Sequence, residues 1–116
     1  MKTFGASKEF LFDADQDWEA VGEGVKRKIM GYDDKLMLVK VAFETGGIGY
    51  EHEHYHSQTT YVASGEFDFT IGGVTQTVKA GDSVYIPPHV LHGATCTKGG
   101  ILIDVFSPIR EDFMGA

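Results

Sequence analysis

The 116-residue sequence has little cysteine, few basic residues and no long apolar run, and each shortage excludes a class of protein. Its single cysteine, Cys96, excludes an internal disulfide and a multi-cysteine zinc knuckle. Ten Lys and Arg residues against seventeen Asp and Glu residues give a net charge of −7, which disfavours nucleic acid and anionic membranes as partners. Because the first residues include no apolar run long enough for a signal peptide or a membrane span, we expect a cytoplasmic protein.

The sequence also lacks a helical pattern, since no window of about a dozen residues repeats its apolar positions with the helical period. Fifteen glycines, about twice the usual share, separate short runs of strand composition. These candidate strands cover residues 25–30, 35–43, 58–64, 66–71, 75–80, 82–87 and 100–106. The pattern predicts an all-β fold, an antiparallel sandwich or barrel that forms a single domain over residues 1–116. We expect helical turns at most at 17–23 and 110–114, and an edge strand or a dimer contact in the first twelve residues.

Five histidines lie between positions 52 and 92, and three of them fall in the segment HEHYH. His52 and His54 are two residues apart in a predicted strand, so their side chains leave the same face with Cα atoms about 6.5 Å apart. Two imidazoles at that spacing can bind one cation. A solvated polar strand end is the competing interpretation. A second cluster, PPHVLH, follows after further strands and favours a metal site assembled from two hairpins.

These two segments resemble the two motifs of the cupin family. The first motif, G-x5-H-x-H-x3–4-E-x6-G, is matched by Gly46, His52, His54, Gln58 and Gly65. The second motif, G-x5-P-x-G-x2-H-x3-N, is matched by Gly81, Pro87, His89, His92 and Cys96. Every spacing fits, but Gln58, His89 and Cys96 replace the Glu, Gly and Asn of the pattern. The resemblance implies a small antiparallel jelly-roll β-barrel that dimerises through sheet edges and binds one divalent transition metal.

The ligands implied by the resemblance are His52, His54, Gln58 and His92. Because three imidazoles and an amide are neutral, they leave the charge of the ion uncompensated, which makes it a stronger Lewis acid and a better receptor for an anion. Mixed nitrogen and oxygen ligands suit Ni, Mn, Fe, Co or Zn. His56 is a further candidate, either as a ligand or behind the ligands, or else a polar residue at the mouth of the site.

For two of the residues that depart from the motif, His89 and Cys96, we expect structural roles. His89 lies in the Pro-Pro turn, where we expect it to be exposed. Cys96 is expected to be a small buried residue, since nothing near it in sequence supports a nucleophile.

The last predicted strand, ILIDVF, carries an acid among apolar residues. Its alternation predicts that Ile101, Ile103 and Val105 face the core. Asp104 then shares the opposite face with Leu102 and Phe106. A carboxylate in such a strand needs a hydrogen-bonding partner or a catalytic role, so Asp104 either caps a neighbouring loop or takes part in catalysis.

The stretch DVFSPIREDF, residues 104–113, resembles a narrower group of cupins, the small bacterial pectin-degradation proteins that linearise unsaturated uronates. Trp18 and the run VKRKIMGYDDKLMLVKV fit the N-terminal half of that group. The resemblance implies opening of a 4,5-unsaturated monouronate, derived from pectin or alginate, to the linear 5-keto-4-deoxyuronate. Asp104 would be the catalytic residue, and Phe106 and Arg110 would bind this small anionic sugar.

Two other functions stay open. A metal-dependent cupin oxygenase would act on a small enol, diol or phenol, and oxygen consumption with Fe(II) would reveal it. A non-catalytic cupin that binds a sugar acid is the other alternative, although cupin sensors usually carry a DNA-binding domain for which 116 residues leave no room.

Overall fold

The computed structural model describes residues 3–115 as eight strands and two short 3-10 helices. The strands are β1 (Glu19–Gly22), β2 (Val25–Asp33), β3 (Leu36–Phe43), β4 (Ile48–His52), β5 (Ser57–Ile71), β6 (Val74–Lys79), β7 (Ser83–Ile86) and β8 (His92–Ser107). The 3-10 helices are Asp13–Asp15 and Glu111–Met114. No helix within residues 3–115 has the length and apolar character needed to cross a membrane.

All strand pairs are antiparallel, in the order β1-β2-β3-β8-β5-β6, with β4 added on β8 and β7 added on β5. The two long strands, β5 and β8, pair over nearly their whole length and join the two halves of the molecule. This arrangement confirms the predicted all-β fold and its small antiparallel jelly-roll barrel.

Glycines allow β5 and β8 to bend across each other at the middle of their pairing. The register of the pair shifts between Val62 and Phe67, on either side of Gly65. Gly65 has a φ of +81°, and a Cβ atom there would lie 2.4 Å from the Lys98 carbonyl oxygen. A Cβ atom at Gly100 would lie 2.0 Å from the Ser64 carbonyl oxygen. Any side chain at these positions would push the strands apart, so the close crossing depends on glycine.

The core lies inside the barrel and follows the alternation of the strands. In β3 every second residue is buried, from Met37 to Phe43. The Phe43 ring contacts that of Phe67 on β5 edge-to-face, with centroids 5.2 Å apart. In the C-terminal part of β8, over residues 101–107, the buried residues are Leu102 and Phe106, at 3% and 2% exposure. The prediction that Ile101, Ile103 and Val105 face the core is therefore wrong, because they lie on the outer face and are half-buried.

Three other local predictions differ from the structure. The segment 17–23 contains strand β1 and no helical turn, because it pairs with β2 as an edge strand. Residues 58–64 and 66–71 form one continuous strand instead of two, because the bend at Gly65 keeps the pairing with β8 on both sides. Residues 3–12 form no strand, although the Ser7 N–H donates to the Tyr32 carbonyl. The helical turn at 110–114 is confirmed as a 3-10 helix.

Candidate active site

The fold brings three histidines together at one end of the barrel. His52 is the last residue of β4 and pairs in register with His92, the first residue of β8. His54 lies beyond the end of β4, so the predicted strand stops before it. The His89 N–H donates to the His54 carbonyl at 2.8 Å and ties this loop to the Pro-Pro turn. One ring nitrogen from each of His52, His54 and His92 lies within 4.8 Å of the other two.

Each ring is oriented by a backbone carbonyl two residues away. The Nδ1 atoms of His52, His54 and His92 lie 2.8, 3.1 and 2.9 Å from the carbonyl oxygens of Tyr50, His56 and Val90. When Nδ1 donates to these carbonyls, the Nε2 lone pairs are free to bind a cation, as in protein metal sites. Burial lowers the pKa of His92 to about 4, and burial together with the Arg110 charge lowers that of His54. Both rings are therefore neutral at neutral pH, the form that binds metals.

Two observations test whether these residues fit a divalent metal. The Nε2 atom of His92 is buried without a hydrogen-bond partner within residues 3–115, which is costly unless a ligand meets it. The Nε2 atom of His54 lies 3.0 Å from Gln58 Oε1. Nitrogen and oxygen ligands that lie about 2.1 Å from one ion can approach each other to about 3 Å. Both observations fit a metal.

The hydrogen-bonding partners of the His54 ring also indicate a metal. A neutral imidazole has one N–H, but both nitrogens of His54 face acceptors, the His56 carbonyl and Gln58 Oε1. A cation between Nε2 and Oε1 would satisfy both lone pairs and leave Nδ1–H to the carbonyl. The four side chains named from the motif can thus hold a metal together.

A chain of hydrogen bonds connects Gln58 to Asp104. Gln58, buried on β5, donates from Nε2 to the Thr60 hydroxyl at 2.9 Å, which directs its Oε1 towards His54. The Thr60 hydroxyl in turn donates to Asp104 Oδ1 at 2.6 Å. Burial raises the pKa of Asp104 to about 6, although the Thr60 hydrogen bond and the Arg110 charge act against this increase. Asp104 can therefore exchange a proton near neutral pH.

Arg110 is buried beside this acid and held by Asp112. Its Nε and Nη2 atoms donate to the two carboxylate oxygens of Asp112 at 3.0 and 2.8 Å. Its guanidinium also lies 4.9 Å from the Phe106 ring centroid and 4.3 Å from that of Phe113. The side edge of the guanidinium, formed by Nε and Nη2, is thus bound to Asp112. Its terminal edge, formed by the two terminal nitrogens, is the one that can bind a ligand.

The site opens into a cavity of about 280 Å³ inside the barrel. Its polar lining consists of His52, Gln58, His92, Asp104, Arg110 and Arg27. Phe106 and Phe113 are among its apolar lining residues. The sequence analysis did not identify Arg27. Its parity with Val25 on β2 places it on the inner face, and that alternation is the signal that could have found it.

The remaining singular residues lie outside the ligand cluster. His56 lies outside the group of ring nitrogens formed by His52, His54 and His92; it is buried at 3% exposure with its Nε2 atom 3.1 Å from the Ile109 carbonyl oxygen. It lies behind His54, whose Nδ1 atom contacts its carbonyl. His89 is exposed as expected and has a φ of +64°, the left-handed conformation that explains a Gly in the family motif. Cys96 is confirmed as a buried residue at 1% exposure.

The C-terminal segment closes the structure around the site. The Tyr55 hydroxyl donates to Glu111, a hydrogen bond that raises the pKa of Tyr55 to about 12. Together with the contact of His56 to Ile109, this bond fastens the segment to the loop that carries His54. Residues 109–113 are thereby fixed beside the histidine cluster.

Comparisons with known proteins agree with this architecture. Residues 39–106 match the family described as the cupin domain. The pectin degradation protein KdgF of Dickeya dadantii (strain 3937) is 40% identical over 109 residues, which cover 92% of this chain and 99% of that protein. The crystal structure of an RmlC-like cupin from Shewanella frigidimarina is 49% identical, with a TM-score of 0.92 over 95% of this chain and 99% of the other. The structure of KdgF from Halomonas sp. is 35% identical, with a TM-score of 0.88 over 92% and 99% of the two chains. By its sequence, its fold and the histidine cluster at the end of its barrel, the chain belongs to the cupin family.

Proposed function

We propose that the chain is a metal-dependent enzyme that opens the ring of 4,5-unsaturated monouronates, released from pectin or alginate, to give the linear 5-keto-4-deoxyuronate. The observation that carries the proposal is the line of contacts from the histidine cluster through Gln58 and Thr60 to Asp104. In this line an acid with a raised pKa lies near the histidine cluster and a guanidinium, which supports the proposal. The similarity to a protein named for pectin degradation supports the substrate class.

We assign His52, His54, Gln58 and His92 as the residues that would hold the metal. A bound divalent ion would supply Lewis-acid stabilisation of the negative charge that develops on oxygen when the ring opens. The nitrogen and oxygen ligands suit Ni, Mn, Fe, Co or Zn.

Asp104 moves the proton in the proposed reaction. As a carboxylate it takes the proton of the anomeric hydroxyl; the C1=O bond forms while the bond between C1 and the ring oxygen breaks. The electron pair of that bond remains on the ring oxygen and gives an enolate over C4, C5 and this oxygen. Asp104 then returns the proton to C4, which leaves a ketone at C5 and balances the reaction as an isomerisation. A pKa of about 6 suits both roles.

Arg110 and Phe106 bind the substrate in this proposal. The terminal edge of Arg110 donates hydrogen bonds to the carboxylate, while Asp112 keeps the guanidinium in place through the other edge. Phe106 packs against the sugar and excludes water. A cavity of about 280 Å³ lies near the lower limit of small-molecule sites and suits a monosaccharide better than a polymer.

The test is turnover of an unsaturated monouronate prepared with a lyase, followed by loss of alkene absorbance and by NMR of the ring protons. We expect the wild type to exceed the spontaneous rate, and a chelator to remove the excess. Asp104→Asn should abolish the excess rate while the metal content stays unchanged. A fully active Asp104→Asn enzyme would overturn the assignment of Asp104, and oxygen consumption with Fe(II) would favour an oxygenase.

We further propose that the chain works in the cytoplasm as one cupin domain over residues 1–116 and as a homodimer. Support for the dimer comes from the N-terminal segment, where Phe10 and Phe12 are 79% and 64% exposed. Large apolar side chains that are exposed close together, and not singly, mark contact surfaces. Light scattering at several protein concentrations measures the oligomeric state directly.

A further inference from the structure

One charged side chain in the cavity has no role in the proposed reaction. Of the described residues that line the cavity, Arg27, Asp104 and Arg110 carry charge. Arg27 lies on β2, paired in register with Val41 of β3, which is itself paired with Leu102 of β8. These three residues lie side by side on the inner face of the sheet. The pair of Val39 and Asp104 occupies the next inward-facing position along β3 and β8. The β1–β2 wall of the cavity therefore presents a cation near the proposed reaction site.

The Arg27 side chain is held in place through its Nε atom, and its terminal nitrogens are free to bind a ligand. Its Nε atom donates to Glu19 Oε1 at 2.7 Å, and its side chain is 18% exposed. Its guanidinium lies 3.7 Å from the ring centroid of Phe113. Among residues 3–115 the bond to Glu19 is its only hydrogen bond, so the four N–H groups on its terminal nitrogens are available for a ligand.

Arg110, in the C-terminal segment, is arranged in a similar way. It too has its side edge bound to an acid, Asp112, and it lies 4.3 Å from the same Phe113 ring. Because both guanidinium carbons lie within 4.3 Å of one ring centroid, they are no more than about 8 Å apart, and each keeps terminal N–H groups that its acid does not use. A planar anion can accept hydrogen bonds from both.

We infer that Arg27 and Arg110 together clamp the carboxylate of the uronate, and that Arg27 sets the preference of the site for an acidic sugar over a neutral one. This inference rests on the proposed function for the identity of the substrate. Because Glu19 and Asp112 neutralise the two arginines, the clamp adds directed hydrogen bonds and little net charge. The positions of the N–H groups of residue 27, and not its charge alone, therefore determine how well the site binds the carboxylate.

The experiment compares Arg27→Met with Lys26→Met. Both variants remove one positive charge from β2, but Lys26 is exposed on the opposite face of the strand. For the unsaturated monouronate we expect Arg27→Met to raise KM about 10- to 100-fold, with kcat within about threefold, because charge-assisted hydrogen bonds to the substrate are lost. Lys26→Met should leave KM within about twofold. Arg27→Lys keeps the charge but loses the planar set of N–H donors of the guanidinium, so it should also raise KM, by about fivefold or more.

A binding measurement separates this inference from the proposed function. Saturated D-galacturonate carries the carboxylate but has no alkene to convert, and galactose lacks the carboxylate. By calorimetry with the metal-loaded protein, we expect the wild type to prefer galacturonate and Arg27→Met to lose most of that preference. Failure of the wild type to convert the unsaturated uronate would overturn the proposed function alone. An unchanged KM and an unchanged preference in Arg27→Met and Arg27→Lys would overturn the clamp, as would a wild type that does not prefer galacturonate.

Discussion

The Thr60 hydroxyl lies 2.6 Å from an Asp104 carboxylate oxygen and donates a hydrogen bond to it. The same hydroxyl accepts a hydrogen bond from Gln58, so one threonine links a candidate metal ligand to the candidate catalytic acid. Thr60 is fully buried, which means that water cannot replace it. This single hydroxyl therefore helps to orient both partners.

Thr60→Val should impair both stability and turnover. Valine has nearly the same shape, but it removes the Thr60 hydrogen bond to Asp104 and the acceptor of the Gln58 amide. We expect a loss of about 1–3 kcal/mol in the free energy of unfolding, measured by urea denaturation, and a lower kcat. Thr60→Ser should retain most of both, and Thr59→Val, at an exposed position of the same strand, should change neither. Wild-type stability and kcat in Thr60→Val would contradict the role of the hydroxyl.

Gln58→Glu should strengthen metal binding and weaken catalysis. A carboxylate in place of the amide adds a negative charge to the ligand set, so we expect metal loss to a chelator to slow by about tenfold or more. The same charge reduces the Lewis acidity of the ion, so kcat should fall. Metal content after dialysis and turnover are the measurements, with Gln76→Glu on exposed β6 as the control for added charge. Weaker metal retention in Gln58→Glu would show that Gln58 is not a ligand.

Gly65→Ala should destabilise the barrel far more than Gly73→Ala. Both glycines have nearly the same φ, +81° and +82°, but a Cβ atom would meet the Lys98 carbonyl oxygen at 2.4 Å in the first case and nothing within 4 Å in the second. We expect a loss of about 1 kcal/mol for Gly73→Ala from backbone strain, and at least about 2 kcal/mol more for Gly65→Ala from the clash. Urea denaturation of the two variants checks the difference. Equal losses would mean that the crossing of β5 and β8 can relax.

Asp13→Asn should lower stability at neutral pH but not in acid. The Asp13 carboxylate accepts hydrogen bonds from Lys40 and Lys28, at 2.8 and 3.2 Å, and these bonds lower its pKa below 3.8. A folded-state pKa below the unfolded value means that the ionised group stabilises the fold above pH 3.8. This contribution is lost as the pH falls through the folded-state pKa.

The measurement is the urea midpoint of wild type and Asp13→Asn across this pH range. The two curves should be separated at neutral pH and converge in strong acid. Asp15→Asn is the matched control, since it removes a carboxylate from the same 3-10 helix. A separation that persists unchanged in strong acid would indicate that the charge of Asp13 is not involved.

The strands and the candidate ligands were predictable because they depend on local chemistry. Alternating apolar residues and isolated glycines predicted strands close to the observed β2, β3, β6 and β7. The spacing of His52, His54 and His92 placed three imidazoles in the motif segments, and the structure brings them within 4.8 Å. Which side chains can bind a metal or move a proton is a property of the side chains themselves, so the sequence could list the candidates, and the resemblance to the cupin motifs selected among them.

Orientation and proximity were decided by the tertiary structure. Both faces of ILIDVF carry large apolar residues, and period-two alternation cannot tell which face is inside. Only packing against β3 and β5 therefore assigned Leu102 and Phe106 to the core. Arg27 is far in sequence from Phe113 and Arg110, and only the barrel brings their side chains together. A sequence lists the chemical groups and their local periodicity, whereas a site is a set of distances between distant segments, which exists only once the strands have paired.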